Sequence, residues 1–281
     1  MIRLGVRVAR PHAEAVLAEL LALVPGGLEE HDVDADTVEY ALYGAPGELP
    51  DVGAVRAAAG GALVDVSTSE LPDGWEERWR EWHRPLDVGR LRVRPPWEAA
   101  RPGALDVVID PGRAFGTGAH PSTRLTLELL VDLPPVGALA DWGCGSGVLA
   151  VAAARLGFAP VLACDVEREA VAATLAAAAA NGVAAVERDA AVAGDDDARI
   201  VVARHDLRAA PGPPAPTVVA NLVRPLLLEV AAGMARLPRR LIASGLEAGE
   251  AGEVAAAFAA RGLALRARRD GDGWSAILLC R

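Results

Sequence analysis

Apolar and polar positions alternate one by one along IRLGVRV (Ile2–Val8), the two-residue period of a strand with one buried face. AEAVLAELLAL (Ala13–Leu23) changes to helical spacing. GLEEHDV and TVEYALY return to strand-like patterns on either side of the turn residues DADT. DVGAVRAAAG predicts a short helix and ALVDVST a last strand. The order β-α-β-β-α-β over residues 1–70 is that of a ferredoxin-like domain.

Residues 71–100 read as a linker of one helix and one strand. Asp73 and Glu76 stand three apart in a capping-box pattern, and Trp75, Trp79 and Trp82 share one helix face. That stripe is either a partner-binding face or the side by which a connector helix packs on a neighbouring domain, and the second reading is the plainer one. Pro85 closes the helix, and LRVRPP resumes extended chain.

From about Gly103 strands and helices alternate. ALDVVID, ALAD, PVLACD, RIVVA, TVVA and RRLIASG have the apolar runs of buried strands. TRLTLELLVDL, GVLAVAAARLG, EAVAATLAAAAANG, RPLLLEVAAGMARL and GEVAAAFAARG have helical spacing. LALRARR and WSAILLC close the chain as two strands joined by DGDG. Residues 101–281 therefore predict a doubly wound α/β domain, parallel except for an antiparallel strand near the end. AGDDDAR (193–199) and AAPGPPAP (209–216) read as exposed loops.

The chain is 52% hydrophobic, much of it alanine, yet no apolar run reaches the ~18 residues of a membrane span. No membrane association is expected. The net charge of −10 disfavours direct nucleic-acid binding and suits either a basic partner or simple solubility. The first residues lack a signal-peptide pattern. Cys144, Cys164 and Cys280 form an odd set without metal-ligand spacing, so a reduced, cytoplasmic, metal-free protein is expected. All 28 basic residues are arginine, and asparagine occurs only at positions 181 and 221. No lysine is present to act as a base.

The chemistry centres on ALADWGCGSGVLAVAA. A strand ends at Asp141, Gly143, Gly145 and Gly147 alternate, and a helix begins. Such glycines let the backbone approach a ligand at a helix N-terminus. About twenty residues on, Asp165 ends the next strand, where a carboxylate meets ribose hydroxyls. Val148 stands where a dinucleotide fingerprint starting at Gly143 needs its last glycine. Asp141 suits a ligand with an amino group better than a pyrophosphate. S-adenosylmethionine, with an ammonium, a sulfonium and no phosphate, fits this pattern. Asn221 lies at the tip of the TVVA strand, on the ligand-binding edge of such a sheet. His205 and Asp206 also follow a strand, and Asp206 either reaches the adenine amino group or belongs to a surface loop.

AFGTGAHPSTRLTLELL, DWGCGSGVLAVAAARLG, VVANLVRPLLLEVA, IASGL and WEERWREWHRPL together resemble the PrmA family, methyltransferases of large-subunit ribosomal protein eleven. The resemblance runs from about Trp75 to the end; before that only the element order agrees. It implies a class I methyltransferase fold with a seven-stranded sheet. It also implies S-adenosylmethionine-dependent methylation of lysine side chains and the N-terminal amine of that ribosomal protein, and an N-terminal module that recognises it. By position, it implies cofactor contacts at Thr123, Gly143, Asp165 and Asn221. The FGTG loop, with Phe115, Gly116 and Thr117, would close over the methionine end, Phe115 excluding water. Ser122-Thr123 replaces the family's usual pair of threonines, the stretch between Asn181 and Asn221 is long, and Pro216-Thr217 stands where an aspartate is usual.

Methyl transfer needs a neutral amine. A free lysine has pKa ~10.4, so deprotonation at pH 7 costs about 4–5 kcal/mol. A dry pocket beside a cation lowers that cost. Asn221 is the candidate for orienting the amine. His120 is either a base or a residue that structures the loop. The competing readings are the same chemistry on RNA or a small molecule, and a non-catalytic module that binds the cofactor.

Overall fold

The computed structural model describes residues 2–23, 28–44, 49–70, 84–111, 120–192, 197–234 and 236–281. The chain forms two compact units that divide between residues 82 and 83. The tryptophan stripe expected over residues 75–82 lies outside the described residues, as does the FGTG motif (115–118). No described helix is long and apolar enough to cross a membrane.

In the first unit the elements are β1 (Ile2–Ala9), α1 (Ala13–Leu23), β2 (Glu29–Asp32), β3 (Thr37–Gly44), α2 (Val52–Ala59) and β4 (Leu63–Glu70). The sheet is antiparallel with order β2-β3-β1-β4, the ferredoxin-like arrangement expected. The two-residue period sends Leu4, Val6 and Val8 of β1, with Val38, Tyr40 and Leu42 of β3, into one core with Val16, Leu20 and Val55 of the helices. Tyr40 is buried, and its hydroxyl donates to Ala13 O at 2.9 Å. On β3 the carboxylate of Glu39 receives hydrogen bonds from Arg3 and Arg7 of β1. Burial pushes the Glu39 pKa up, but these two bonds outweigh it and hold it below the ordinary range.

The second unit opens with a three-stranded sheet of β5 (Leu86–Val88), β6 (Leu91–Arg94) and β7 (Leu105–Val108), order β5-β6-β7. Part of the stretch expected as linker is therefore built into the larger unit. Val88, Leu91, Val93 and Val107 are buried in that unit's core, and Gly89, at φ 55°, makes the tight turn between β5 and β6. The extended chain expected at LRVRPP is β6, whereas β5, three residues long, carries too little periodicity to be told from connecting chain.

The main sheet has order β10-β11-β9-β8-β12-β13-β15-β14. Its strands are β8 (Leu139–Trp142), β9 (Val161–Asp165), β10 (Ala185–Glu187), β11 (Ile200–Arg204), β12 (Thr217–Asn221), β13 (Arg240–Glu247), β14 (Ala264–Gly271) and β15 (Trp274–Cys280). β15 runs antiparallel between β13 and β14, and the other pairs are parallel. ALDVVID, expected as a strand of this sheet, instead supplies β7 of the three-stranded one, and the main sheet has eight strands where the resemblance implied seven. The additional one is β10, a three-residue edge strand within the long stretch after Asn181. It is not fully buried, so no apolar run marks it.

The helices are α3 (Pro121–Val131), α4 (Val148–Leu156), α5 (Arg168–Ala180), α6 (Arg224–Gly233) and α7 (Ala251–Ala259). Alternate strand residues feed two cores. Leu139, Val161, Ala163 and Val219 meet α3, α4 and α5 on one face; Ala140, Leu162, Cys164 and Val218 meet α6 and α7 on the other. Every residue of α4 except Arg155 is buried, which alanine permits by letting neighbouring backbones come close.

Asn181 ends α5 and is buried. Its side-chain Nδ2 donates to Val108 O (2.7 Å) and Ala177 O (2.8 Å), and its Oδ1 accepts from Val108 N (2.8 Å). The amide thus pairs with the end of β7 as another strand would, just before the FGTG segment. Asn181→Ala strands both backbone groups of Val108 and is expected to lower stability by roughly 2–4 kcal/mol. Denaturant midpoints of the two proteins check this; equal midpoints would show that the amide contributes nothing.

Candidate functional site

The order β9-β8-β12 is a topological switch point. From β8 the chain goes first to one side and later to the other, which opens a crevice at the carboxyl ends of these strands. Gly143–Gly147 bridges β8 and α4 there. Gly143 N and Cys144 N both donate to Cys164 O, at 2.8 and 3.0 Å, tying the loop to β9. Gly143 has φ 78°, and a Cβ there would stand 2.4 Å from Leu222 Cδ2. Gly147 has φ 81°, and a Cβ there would stand 2.7 Å from Thr174 Cα. Neither position accepts a side chain. Gly145, also with positive φ, donates its N–H to Asp165 Oδ2 at 3.0 Å.

Asp165 ends β9, and its other oxygen accepts from Glu167 N at 3.1 Å. Each carboxylate oxygen keeps a second lone pair, so ribose hydroxyls can still be received. Asp141, one residue before the end of β8, is 0% exposed, and neither of its oxygens has a hydrogen-bond partner among the described residues. Burial first, then the charge of Asp165, pushes its pKa up to about 7; the nearby Ala150 N–H offsets this only weakly. Asp206 follows β11, where the His205 N–H donates to Asp165 O at 2.7 Å. Its Oδ1 accepts from Arg208 N at 2.9 Å, a turn-forming bond.

Asn221 ends β12. Its Nδ2 lies 3.4 Å from the hydroxyl oxygen of Thr123, which is buried in the first turn of α3. His120 caps that helix. Its Nδ1 accepts from Ser122 N at 3.2 Å and lies 2.8 Å from Ser122 Oγ, and its ring meets Trp274 edge-on at 4.5 Å. Burial lowers the His120 pKa. With Nδ1 accepting, the neutral ring carries its proton on Nε2. Phe115, Gly116 and Thr117 lie outside the described residues.

Two contributors carry no role in the sequence reading. Gly245 on β13 has φ 80°, and a Cβ there would meet Leu222 O at 2.5 Å and Asn221 Oδ1 at 3.0 Å. Ser244 Oγ donates toward Ser122 O and Ser275 O, both at 3.2 Å, linking β13 to α3. The signal was present in IASG, a glycine at the carboxyl end of a strand.

A protein-family model described as "Ribosomal protein L11 methyltransferase (PrmA)" matches residues 41–281. Among curated relatives, a ribosomal protein L11 methyltransferase of Azotobacter vinelandii is 36% identical over 89% of this chain and 78% of its own length. One of Burkholderia ambifaria is 34% identical over 96% of this chain and 95% of its own. The chain belongs to the PrmA family. A crystal structure of the ribosomal protein L11 methylase from Lactobacillus delbrueckii subsp. bulgaricus superposes with TM-score 0.59 at 26% identity. It covers 70% of this chain and 98% of that one.

The PrmA site present here fits S-adenosylmethionine. Asp141 offers a buried carboxylate with unused lone pairs to a cationic group. Asp141, Asp165 and Asp206 all stand at this strand edge, an electrostatic setting that favours an ammonium and sulfonium and opposes a pyrophosphate.

Proposed function

We propose that this chain methylates amino groups, at lysine side chains and the N-terminus, of large-subunit ribosomal protein eleven, in the cytoplasm. S-adenosylmethionine, when bound, supplies an electrophilic methyl group on its sulfonium sulfur. The observation that carries the reading is the orphaned Asp141 carboxylate at the glycine turn of a PrmA chain. Asp141 holds the ammonium of the methionine end, Gly143 and Gly145 present backbone to it, Asp165 receives the ribose hydroxyls, and Asp206 serves the adenine amino group. Thr123 steadies Asn221, whose Oδ1 accepts a hydrogen bond from the incoming amine and aims the nitrogen lone pair. Phe115 and the FGTG loop exclude water, which strengthens these electrostatic contacts and favours the uncharged amine. We assign His120 the capping role and not that of the base: its Nδ1 already accepts from the backbone, so the amine reaches the site neutral and its proton leaves to solvent.

The test is incubation with S-adenosylmethionine carrying a labelled methyl group and ribosomal extract. Label is expected on one ribosomal protein, at lysine and N-terminal nitrogen by mass spectrometry; label in RNA would sink the proposal.

Residues 1–70 recognise the substrate in this reading. A chain beginning at residue 84 keeps β5 and β6 with the unit they pack in. It is expected to bind the cofactor within about threefold of the full chain, because no proposed contact is removed, and to lose methylation of the ribosomal protein. Calorimetry and the labelling assay check the two halves. Full activity without the first unit would remove its recognition role.

A further inference from the structure

The connection from β11 to β12 crosses two strands, because the sheet runs β11-β9-β8-β12. Parallel crossovers usually return through a helix. Residues 205–216 instead make a turn and then an extended, proline-rich strap. Its backbone lies on the indole of Trp142: a Cβ on Gly212 would stand 2.5 Å from Trp142 Nε1, and Nε1 donates to Pro213 O at 3.1 Å. A strap is thinner than a helix. Between it and α6 a cleft of about 790 Å³ is left, within the ~300–1,000 Å³ range of small-molecule pockets.

The cleft is two-sided in character. Trp142, Leu207, Val230 and Met234 give it an apolar floor. Arg236, Arg239 and Arg281 stand exposed at its rim, and none has an ion-pair partner among the described residues. Glu229, the acidic residue of the lining, lies 3.8 Å from Arg208 Nε and so faces a cation already. Three guanidiniums without an ion pair among the described residues line one partly apolar hollow, against the charge of a chain that is −10 overall. The cofactor contacts proposed above sit at the carboxyl ends of the strands, whereas this cleft opens on the α6 face.

We propose that the cleft binds a small amphipathic anion, an apolar body ending in a carboxylate, sulfonate or phosphate. The body sits on Trp142, Leu207 and Met234. The charged end is taken by Arg236, Arg239 and Arg281, whose planar forks match oxyanions. An anion without an apolar body leaves the floor wet, and an apolar molecule without charge leaves the arginines unpaired, so both parts are required.

The probe is 8-anilinonaphthalene-1-sulfonate, titrated onto the full chain by fluorescence and calorimetry. One saturable site is expected. Octanoate should displace the probe, while octanol and inorganic phosphate at the same concentration should not. Arg236→Ala with Arg239→Ala should weaken binding about tenfold or more, and the corresponding double lysine variant should stay within about threefold. Both sites are exposed, and melting curves confirm the fold of each variant. The proposal is overturned if octanol competes as well as octanoate, if the double alanine variant binds like the parent, or if no saturable site exists. It is also overturned, in favour of a protein partner, if an acidic peptide displaces the probe and octanoate does not.

Discussion

Asn221→Ala is expected to lower kcat by roughly 10- to 100-fold while weakening cofactor binding far less. The scale is that of a misaligned reacting group, since a displacement of about an ångström at the reacting centre can cost that much. Asn221 stands at the tip of β12, pinned by Thr123 from one side and by the close backbone of Gly245 from the other. A side chain held this way loses little freedom when an amine arrives, so its contribution falls on the transition state. Asn221→Asp is the sharper variant. A carboxylate at this tip holds the protonated amine, which has no lone pair, so turnover is expected to be slow at neutral pH and to recover partly as pH rises. Single-turnover rates at saturating cofactor, beside calorimetric affinities, separate the two effects. If affinity fell and kcat held, Asn221 would be a cofactor contact alone.

Asp141 predicts opposite pH dependences for binding and for folding. Its pKa in the folded protein is raised to about 7 by burial and by Asp165. Only the carboxylate form attracts a cation, so the apparent affinity for S-adenosylmethionine should rise with pH and level off above 7. For a single group of this pKa the gain between pH 5.5 and 7.5 is roughly 25-fold. Folding goes the other way. A group whose pKa is raised on folding contributes stability that is present below the unfolded value, near 4, and lost as pH climbs through 7. Over about three pH units that is roughly 4 kcal/mol of stability lost without cofactor. Asp141→Asn should flatten both curves and bind cofactor more weakly throughout. Titration calorimetry and thermal melts across pH 5 to 8 check the pair; an affinity that does not change over that range would remove Asp141 from the cofactor's ammonium.

Much of this molecule was legible from residue pattern. The ferredoxin-like order needed only the change of period between IRLGVRV and AEAVLAELLAL, and the strand order β4-β1-β3-β2 is common to that motif. The glycine turn was legible because positive φ and crowding at Gly143 and Gly147 demand glycine, and that demand is visible as letters. Asp141, Asp165 and Asn221 were legible because each ends an apolar run, and the ends of parallel strands gather on one edge.

Other features depended on which elements became neighbours. β10 and β5 are too short to carry a period, and the pairing of β10 with β11 and of the β5–β6 hairpin with β7 is set by packing. Asn181 reads locally as a helix stop; its pairing with Val108 across 73 residues exists only once α5 and β7 are packed. The contact of the His120 ring with Trp274 likewise arises only once β15 packs beside α3. The buried state of Asp141, the lack of partners for its oxygens and the pKa that follows belong to the folded interior. Local sequence determined the elements, the turn glycines and the strand-tip polar residues, because backbone sterics and the period of burial act over a few residues. Tertiary structure decided hydrogen-bond partners, desolvation and the cleft beneath the strap, because those depend on distances between segments far apart in the chain.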